Sequence, residues 1–412
     1  MSISKISRNI CCWAIILICS ATIVSCEKHH NDKQERFNRV VLVYMAAENT
    51  LSRVTASDMQ EMLNAAKQIP DDCKLVVYVD KNDAYPAIYE IDRNTKEKTV
   101  QALTPAKRFD KYLDSSDPST LDCIMDYTTK NYHASSYGII FWSHGSSWTI
   151  YDSANYAKSR NPKYSFGIDT NHNTSNIMTS MNIADMASVL AKYSNIDFIM
   201  FDACFMQSIE VAYELRNVTK CIIGSPAEIP GEGAPYDIIT PSLFAKDFNA
   251  DYVMNLYNDY YAHLPISDRC GVLISAIDTK QLDSFINATS DVIRNHSIES
   301  LNLSSLLNYF YFGYWDVSMP DMYDIRSIML HLLTEDEYRY WNTEFNKLIL
   351  SSYSFSSWYS MYIDADIPVD ESQFGGVSMY LPLNKYNYFQ FTDDFYTTAW
   401  GKVMKEKKSF TH

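Results

Sequence analysis

The sequence predicts an α/β protein: a doubly wound, mostly parallel sheet with helices on both faces, followed by a mixed α+β C-terminal region. Three observations carry this prediction. Continuous apolar runs recur at 40–45 (VVLVYM), 74–79 (KLVVYV), 137–142 (YGIIFW) and 196–201 (IDFIMF), as expected of strands covered on both faces. Segments with helical spacing separate most of them. The runs end on small or polar residues, Ala46-Ala47-Glu48-Asn49, Asp80, Ser143-His144-Gly145 and Asp202-Ala203-Cys204, where open α/β sheets place their chemistry.

In chain order, the first strand is followed by a helix over 51–68, with Leu51, Val54, Met59, Met62, Leu63 and Ala66 on its apolar stripe. After the second strand, 85–91 and 99–103 read as a short hairpin around polar 92–98. A helix over 120–132 leads into the third strand. Residues 151–176 are polar and irregular, and a loop of that length is usually functional or mobile. A helix over 182–193, the fourth strand, a helix over 206–215, a fifth strand over 220–224 and a sixth over 270–276 complete the alternation. Beyond 280 the pattern loosens into helices rich in Tyr and Trp, with one late strand at 376–382. The chain thus divides into a core, 39–279, and an aromatic-rich C-terminal region, 280–412.

The composition narrows the function. Apolar residues make up 47% of 412, ample for a large core, and the 31 Tyr and 19 Phe imply broad amphipathic aromatic surfaces. A net charge of −15 without a long basic run argues against nucleic-acid binding and favours a cationic substrate or peptide. Residues 1–25 carry Lys5 and Arg8 ahead of a short apolar stretch, the form of an export signal. They end Ile23-Val24-Ser25 before Cys26, which resembles a bacterial lipobox, with Cys26 as the acylated residue; the other reading is an ordinary secretory signal cut nearby. Removing 1–25 takes the net charge from −15 to −17. Polar residues 26–38 then read as a tether, His29 and His30 included, and the expected location is the cell envelope of an exporting bacterium, with the membrane as a partner through the lipid.

Nine cysteines stand at 11, 12, 19, 26, 73, 123, 204, 221 and 270. Their spacing indicates no metal site. Cys73, Cys123, Cys221 and Cys270 are expected to be buried or paired. Cys204 differs because it closes a buried strand, as His144 does. On neighbouring strands the two would face one crevice, the arrangement thiol acyl transfer requires. A helix starting soon after Cys204 would lend it thiolate character. Gly145 leaves room for its N–H to approach a substrate carbonyl, and with the Cys204 N–H it would form an oxyanion hole.

These residues also carry a resemblance. FWSHGSSW (141–148) and FDACFMQSIE (201–210) resemble the His and Cys blocks of the clostripain family of cysteine peptidases, which belongs with caspases, legumain and gingipains. VLVYMAAEN (41–49) resembles the family's opening strand, GSPAEIPGEGAPYD (224–237) its segment after the catalytic helix, and FGGVSMYLP (374–382) its late strand. The resemblance implies a caspase-like fold, with His144 as the catalytic histidine, Cys204 as the nucleophile and Asp202 as an acid lining a pocket for Arg or Lys before the scissile bond. Glu228 and Glu232, on the next exit loop, are candidates to add charge. A helix N-cap for Asp202 and a solvated loop for the two glutamates are the other readings. The sequence departs from the family at Ser225-Pro226-Ala227-Glu228 and at Ala234, where a tryptophan usually falls. These departures leave the catalytic pair untouched but call strict arginine specificity into question.

Family members can be activated by cleavage between the His and Cys strands. Lys158 and Arg160, with Lys163 nearby, are therefore candidate self-cleavage positions, or else solvated loop charges. The chemistry requires no cofactor. The resemblance also allows calcium, with Asp364-Ala365-Asp366 as an acidic loop of the right composition and no EF-hand pattern. The reading is an exported, lipid-anchored cysteine endopeptidase acting on peptides or proteins. The alternative is a non-catalytic surface lipoprotein binding glycan or peptide through 309–315 (YFYFGYW), a run that core packing would also explain.

Overall fold

The computed structural model describes residues 36–149, 165–170, 178–265, 271–309, 321–361, 363–385 and 391–408. The strands, in chain order, are β1 (Phe37–Ala47), β2 (Cys73–Lys81), β3 (Ala87–Ile91), β4 (Lys107–Arg108), β5 (Ala134–Trp142), β6 (Phe166–Asp169), β7 (Thr179–Met181), β8 (Ile196–Asp202), β9 (Cys221–Gly224), β10 (Leu273–Asp278), β11 (Met322–Asp324), β12 (Ile349–Ser354), β13 (Ser357–Ser360), β14 (Ala365–Pro368) and β15 (Ser378–Tyr380). The helices are α1 (Thr55–Ala65), α2 (Pro118–Asn131), α3 (Ile183–Leu190), α4 (Ile209–Leu215), α5 (Tyr236–Leu243), α6 (Ala250–His263), α7 (Leu282–Arg294), α8 (Ile325–Leu332), α9 (Glu335–Leu348), α10 (Phe391–Phe395) and α11 (Ala399–Lys408).

Nine strands form the central sheet in the order β12-β10-β9-β8-β5-β1-β2-β3-β4. The five from β9 to β2 are parallel, and antiparallel strands flank them on both sides. Side chains along β1 alternate between two cores. Val40, Leu42 and Tyr44 join one cluster with α2, α3, α4, α7, α8 and α9; Val41, Val43 and Met45 join another with α1, α5 and α6. That two-sided burial is why β1 reads as unbroken apolar sequence. Local signals set helix starts: Asp117 caps α2 ahead of Pro118, and Thr334 with Glu337 forms a capping box on α9.

Three expectations need correction. Residues 99–103 are not a strand: Val100–Ala102 is a 3-10 turn, with Val100 and Leu103 packed on the core that contains α1, and the Val100 N–H bonded to Gln60 Oε1. β3 pairs instead with Lys107–Arg108. The helix expected from 206 begins at Ile209, because Ser208 caps it and buried Gln207 turns inward to donate to Ser275. The late strand is short and leaves the main sheet, pairing β15 with β11.

Residue 279 is crossed without a break in packing. β12 from the C-terminal region lies at the edge of the central sheet, and residues 36–412 form one unit. Of the aromatic run 309–315 only Tyr309 is among the described residues; it is buried, and its hydroxyl donates to Asp324 Oδ2 at 2.6 Å. Cys73 and Cys221 are buried free thiols, and Cys123 is free and exposed. Cys26, Lys158, Arg160, Lys163 and Cys270 lie outside the described residues.

Candidate active site

β5 and β8 are direct neighbours, with Trp142 opposite Asp202. Two residues further on, each strand delivers one reactive side chain, His144 and Cys204, to the same carboxyl edge. The loops that carry them touch: a methyl group on Gly145 would sit 2.6 Å from the Cys204 carbonyl oxygen. Glycine at 145 is therefore what lets the two loops close on one another. Phe205, directly after Cys204, has a φ of 63°, a strained value for a bulky residue. Its N–H is held by the Ala227 carbonyl at 2.9 Å.

His144 and Cys204 line one cavity of about 360 Å³, together with Trp142, Asp202, Glu228 and Met361. His144 Nε2 is paired with Thr50 Oγ1 at 2.9 Å. Loss of hydration lowers its pKa, so the imidazole is neutral at neutral pH and available as a base. Burial pushes the Cys204 thiol up to about 12, with Glu228 and Asp202 adding to the rise and the Ile229 N–H, donated to Sγ at 3.4 Å, opposing it. The expected helix-dipole activation does not operate, since α4 starts five residues later. The resting pair is a neutral thiol with a neutral imidazole.

Asp202 is buried and does not cap a helix. Its carboxylate accepts the Ala234 N–H at 3.1 and 3.2 Å and the Tyr236 hydroxyl at 2.8 Å. Burial raises its pKa to about 6, with Tyr236 and Ala234 opposing the rise. Two further acids lie close by. Asp58 accepts the Trp142 indole N–H at 2.7 Å and is pushed up to about 8 by burial and then by Asp202; Glu61 accepts the Tyr236 N–H at 3.0 Å and is raised to about 7 by burial. Of the three, Asp202 keeps its charge to the lowest pH and faces the cavity. Glu228 is buried on the cavity wall, with Oε1 accepting the Met361 N–H at 3.2 Å. Glu232 is exposed and is not part of the lining. Neither the Gly145 nor the Cys204 N–H donates to another residue among the described residues.

A model of the Clostripain family matches residues 43–411. The chain belongs to the clostripain family. Clostripain of Hathewaya histolytica is 23% identical over 235 residues, a stretch covering 51% of this chain and 43% of that protein, so less than half of clostripain's length is matched. A secreted C11 cysteine protease from Bacteroides thetaiotaomicron, solved with an irreversible peptide inhibitor, aligns with a TM-score of 0.73 at 26% identity over 90% of this chain and 99% of that one. An inactive zymogen C11 protease from Parabacteroides distasonis gives 0.74 at 24% identity over 90% and 98%, a likeness of fold. Membership in the clostripain family makes the chain a cysteine endopeptidase with a caspase-like fold.

Several site residues escape sequence reasoning. Thr50 lies only two residues past the Glu48 that ends the first apolar run, but nothing local marks it as the partner of His144. Tyr236 and Asp58 come from helices on the far core, and Met361 from the turn between β13 and β14. As for metals, Asp364 and Asp366 are exposed, and Asp364 accepts the Tyr359 hydroxyl. Among the described residues, the acids that converge as a metal site would require are Glu48, Asp80 and Asp169.

Proposed function

We propose that the chain is an exported, lipid-anchored cysteine endopeptidase that cleaves after Arg or Lys. The observation that carries this is the shared cavity, lined by His144 and Cys204 and by the buried carboxylates of Asp202 and Glu228. A peptide carbonyl placed beside Cys204 is attacked by Sγ as the thiol proton passes to the neutral His144 imidazole. The Gly145 and Cys204 N–H groups stabilise the oxyanion. His144 returns the proton to the leaving amine, a thioester forms, and water hydrolyses it with the imidazole again as base. A guanidinium or ammonium on the preceding residue meets Asp202, ionised above a pH of about 6, and this pairing supports basic specificity. Calcium binding is a proposal of the same standing; the acyl-transfer steps route nothing through it.

Export and lipidation rest on the Ile23-Val24-Ser25-Cys26 block and on the secreted relative. Self-cleavage at Lys158 or Arg160 is supported by their basic character. Two fragments cut at that position after both are replaced would reject it.

The test uses the chain from residue 27, wild type and Cys204→Ala, on matched peptides with Arg, Lys, Asp, Asn or Ala before the scissile bond. Turnover after Arg or Lys that is lost in the variant is the expected result. Turnover after another residue, still lost in the variant, would keep the nucleophile and reject the basic pocket. No turnover on any peptide, before or after cleavage of the 151–176 segment in trans, would favour the binding lipoprotein.

A further inference from the structure

A second cavity lies on the same sheet edge as the catalytic one. It has a volume of about 460 Å³ and sits over the ends of β1 and β2, lined by Thr50, Ser52 and Arg53 from one loop and by Lys81, Asn82 and Asp83 from the other. The 3-10 turn Thr50–Arg53 is shared between the two cavities: Leu51 lines the catalytic one, and its neighbours on both sides line this one. The Thr50 hydroxyl, paired with His144 Nε2 at 2.9 Å, places the imidazole beside that turn.

The charges of the second cavity run against those of the chain. The net charge is −15, and the catalytic cavity is lined by Asp202 and Glu228. Two cations and one acid line this one. Arg39 and Lys74, at the amino ends of β1 and β2, are held in ion pairs with Asp197 and with Glu90 and Asp92. Past the other ends of the same strands, Arg53 and Lys81 are in no ion pair among the described residues, Asp83 included. Arg53 is exposed and Lys81 half-buried, so an anion entering the cavity can reach both.

The order of the strands gives this cavity its place in the reaction. Along the carboxyl edge β9, β8, β5, β1 and β2 follow one another, and their exits carry in turn Glu228, Cys204, His144, Arg53 and Lys81. Acyl transfer keeps the carbonyl part of a substrate on Cys204 and sends the amine part off past His144, which protonates it. We propose, resting on the peptidase reading above, that the second cavity receives the leaving side of the substrate and that Arg53 and Lys81 select an Asp or Glu side chain there. Neighbouring strands stand about 4.8 Å apart, so β2 lies roughly 10 Å beyond β5, which an extended peptide covers in about three residues. The selected carboxylate therefore belongs to one of the first three residues after the scissile bond. The preferred substrate carries a cation before that bond and an anion after it, matching the opposite signs of the two cavities.

The test uses the chain from residue 27, with the 151–176 segment cleaved in trans if the intact chain is silent. Peptides carry Arg or Lys before the scissile bond and, in each of the three positions after it, Glu, Ala or Lys. The expected result is a kcat/KM about 3- to 10-fold higher for Glu than for Lys in at least one of those positions, shrinking as salt is raised. Arg53→Glu combined with Lys81→Glu should invert that order, with turnover of the peptide bearing only Ala after the bond changed by less than about 2-fold. If the double variant does not fold, Arg53→Gln and Lys81→Gln take its place singly, and each should reduce the preference. Equal turnover of the Glu, Ala and Lys peptides, or an acidic preference that survives the substitutions, overturns the assignment. Absence of turnover on the Ala peptide as well is a different result: it rejects the peptidase reading, and the assignment falls with it.

Discussion

Two groups of buried or half-buried acids lie towards the carboxyl edge of the same sheet, and they are placed differently. Around the cavity, Asp202 is met by the Tyr236 hydroxyl and the Ala234 N–H, Asp58 by the Trp142 indole, and Glu61 by the Tyr236 N–H. In the Glu48–Asp80–Asp169 group, the Asp80 Oδ1 atom has no such donor among the described residues. Asp202 of the first group lines an open cavity, whereas Glu48, Asp80 and Asp169 are sealed. A carboxylate that waits for a visiting cation has to be stable while the cavity is empty, so it is supplied with hydrogen bonds. Burial alone does not separate Asp202 from the sealed acids; access to the cavity does.

The largest effect expected from breaking this contrast is on substrate choice. Asp202→Asn should lower kcat/KM for Arg or Lys peptides about 100-fold or more while changing neutral peptides by only a few fold, because a buried cation would lose its partner. Equal losses on both peptide classes would show that Asp202 serves the scaffold. Asp80→Asn should do the reverse, shifting Tm by a few degrees and leaving the ratio of basic to neutral turnover unchanged.

Smaller effects sharpen the picture through pH. Asp202 rises from its ordinary 3.8 to about 6. It is therefore protonated below that pH, and kcat/KM on basic peptides should climb through about 6 and then level off. The sign for stability is opposite: the folded state holds this proton more tightly than the unfolded chain, so this group's contribution falls as pH rises from 3.8 towards 6. Removing one donor with Tyr236→Phe should move the acid limb upward by about one unit; an unmoved limb would assign it to another group. The smallest change is expected for Thr50→Val, about 3- to 10-fold in kcat with KM nearly constant, because it removes one contact that orients His144.

Much of this was legible in the sequence for a physical reason. Strands buried on both faces have little freedom of composition, so β1, β2, β5 and β8 stand out as apolar runs, and their ends show where His144, Cys204 and Asp202 sit. What pairs with what was less legible. TVQAL at 99–103 has strand-like residues, yet its Val100 and Leu103 side chains find more burial against the core beside α1 than a hairpin edge would offer. The start of α4 depends on Gln207, whose side-chain NH2 donates to Ser275, 68 residues away. Tyr236, Thr50 and Met361 join the site through contacts across the fold, and no local pattern announces such contacts. The charge state of Cys204 is hard to read for the same reason: a dipole argument needs a helix that begins at once, whereas α4 starts five residues later and desolvation raises the thiol pKa.

The pairing of β5 with β8 has one more consequence. The chain between them leaves β5 after the His144 loop, and Gly145 is bridged to Phe166 when it returns. A chain cut anywhere from 150 to 164 would become two polypeptides, one carrying β1, β2 and the histidine, the other carrying β8, β9, β10 and the cysteine. Six residue pairs between β5 and β8, and the core beneath them, would still join the halves. Such a molecule would run as two bands under denaturing conditions and as one particle otherwise, and dilution would not part its histidine from its cysteine.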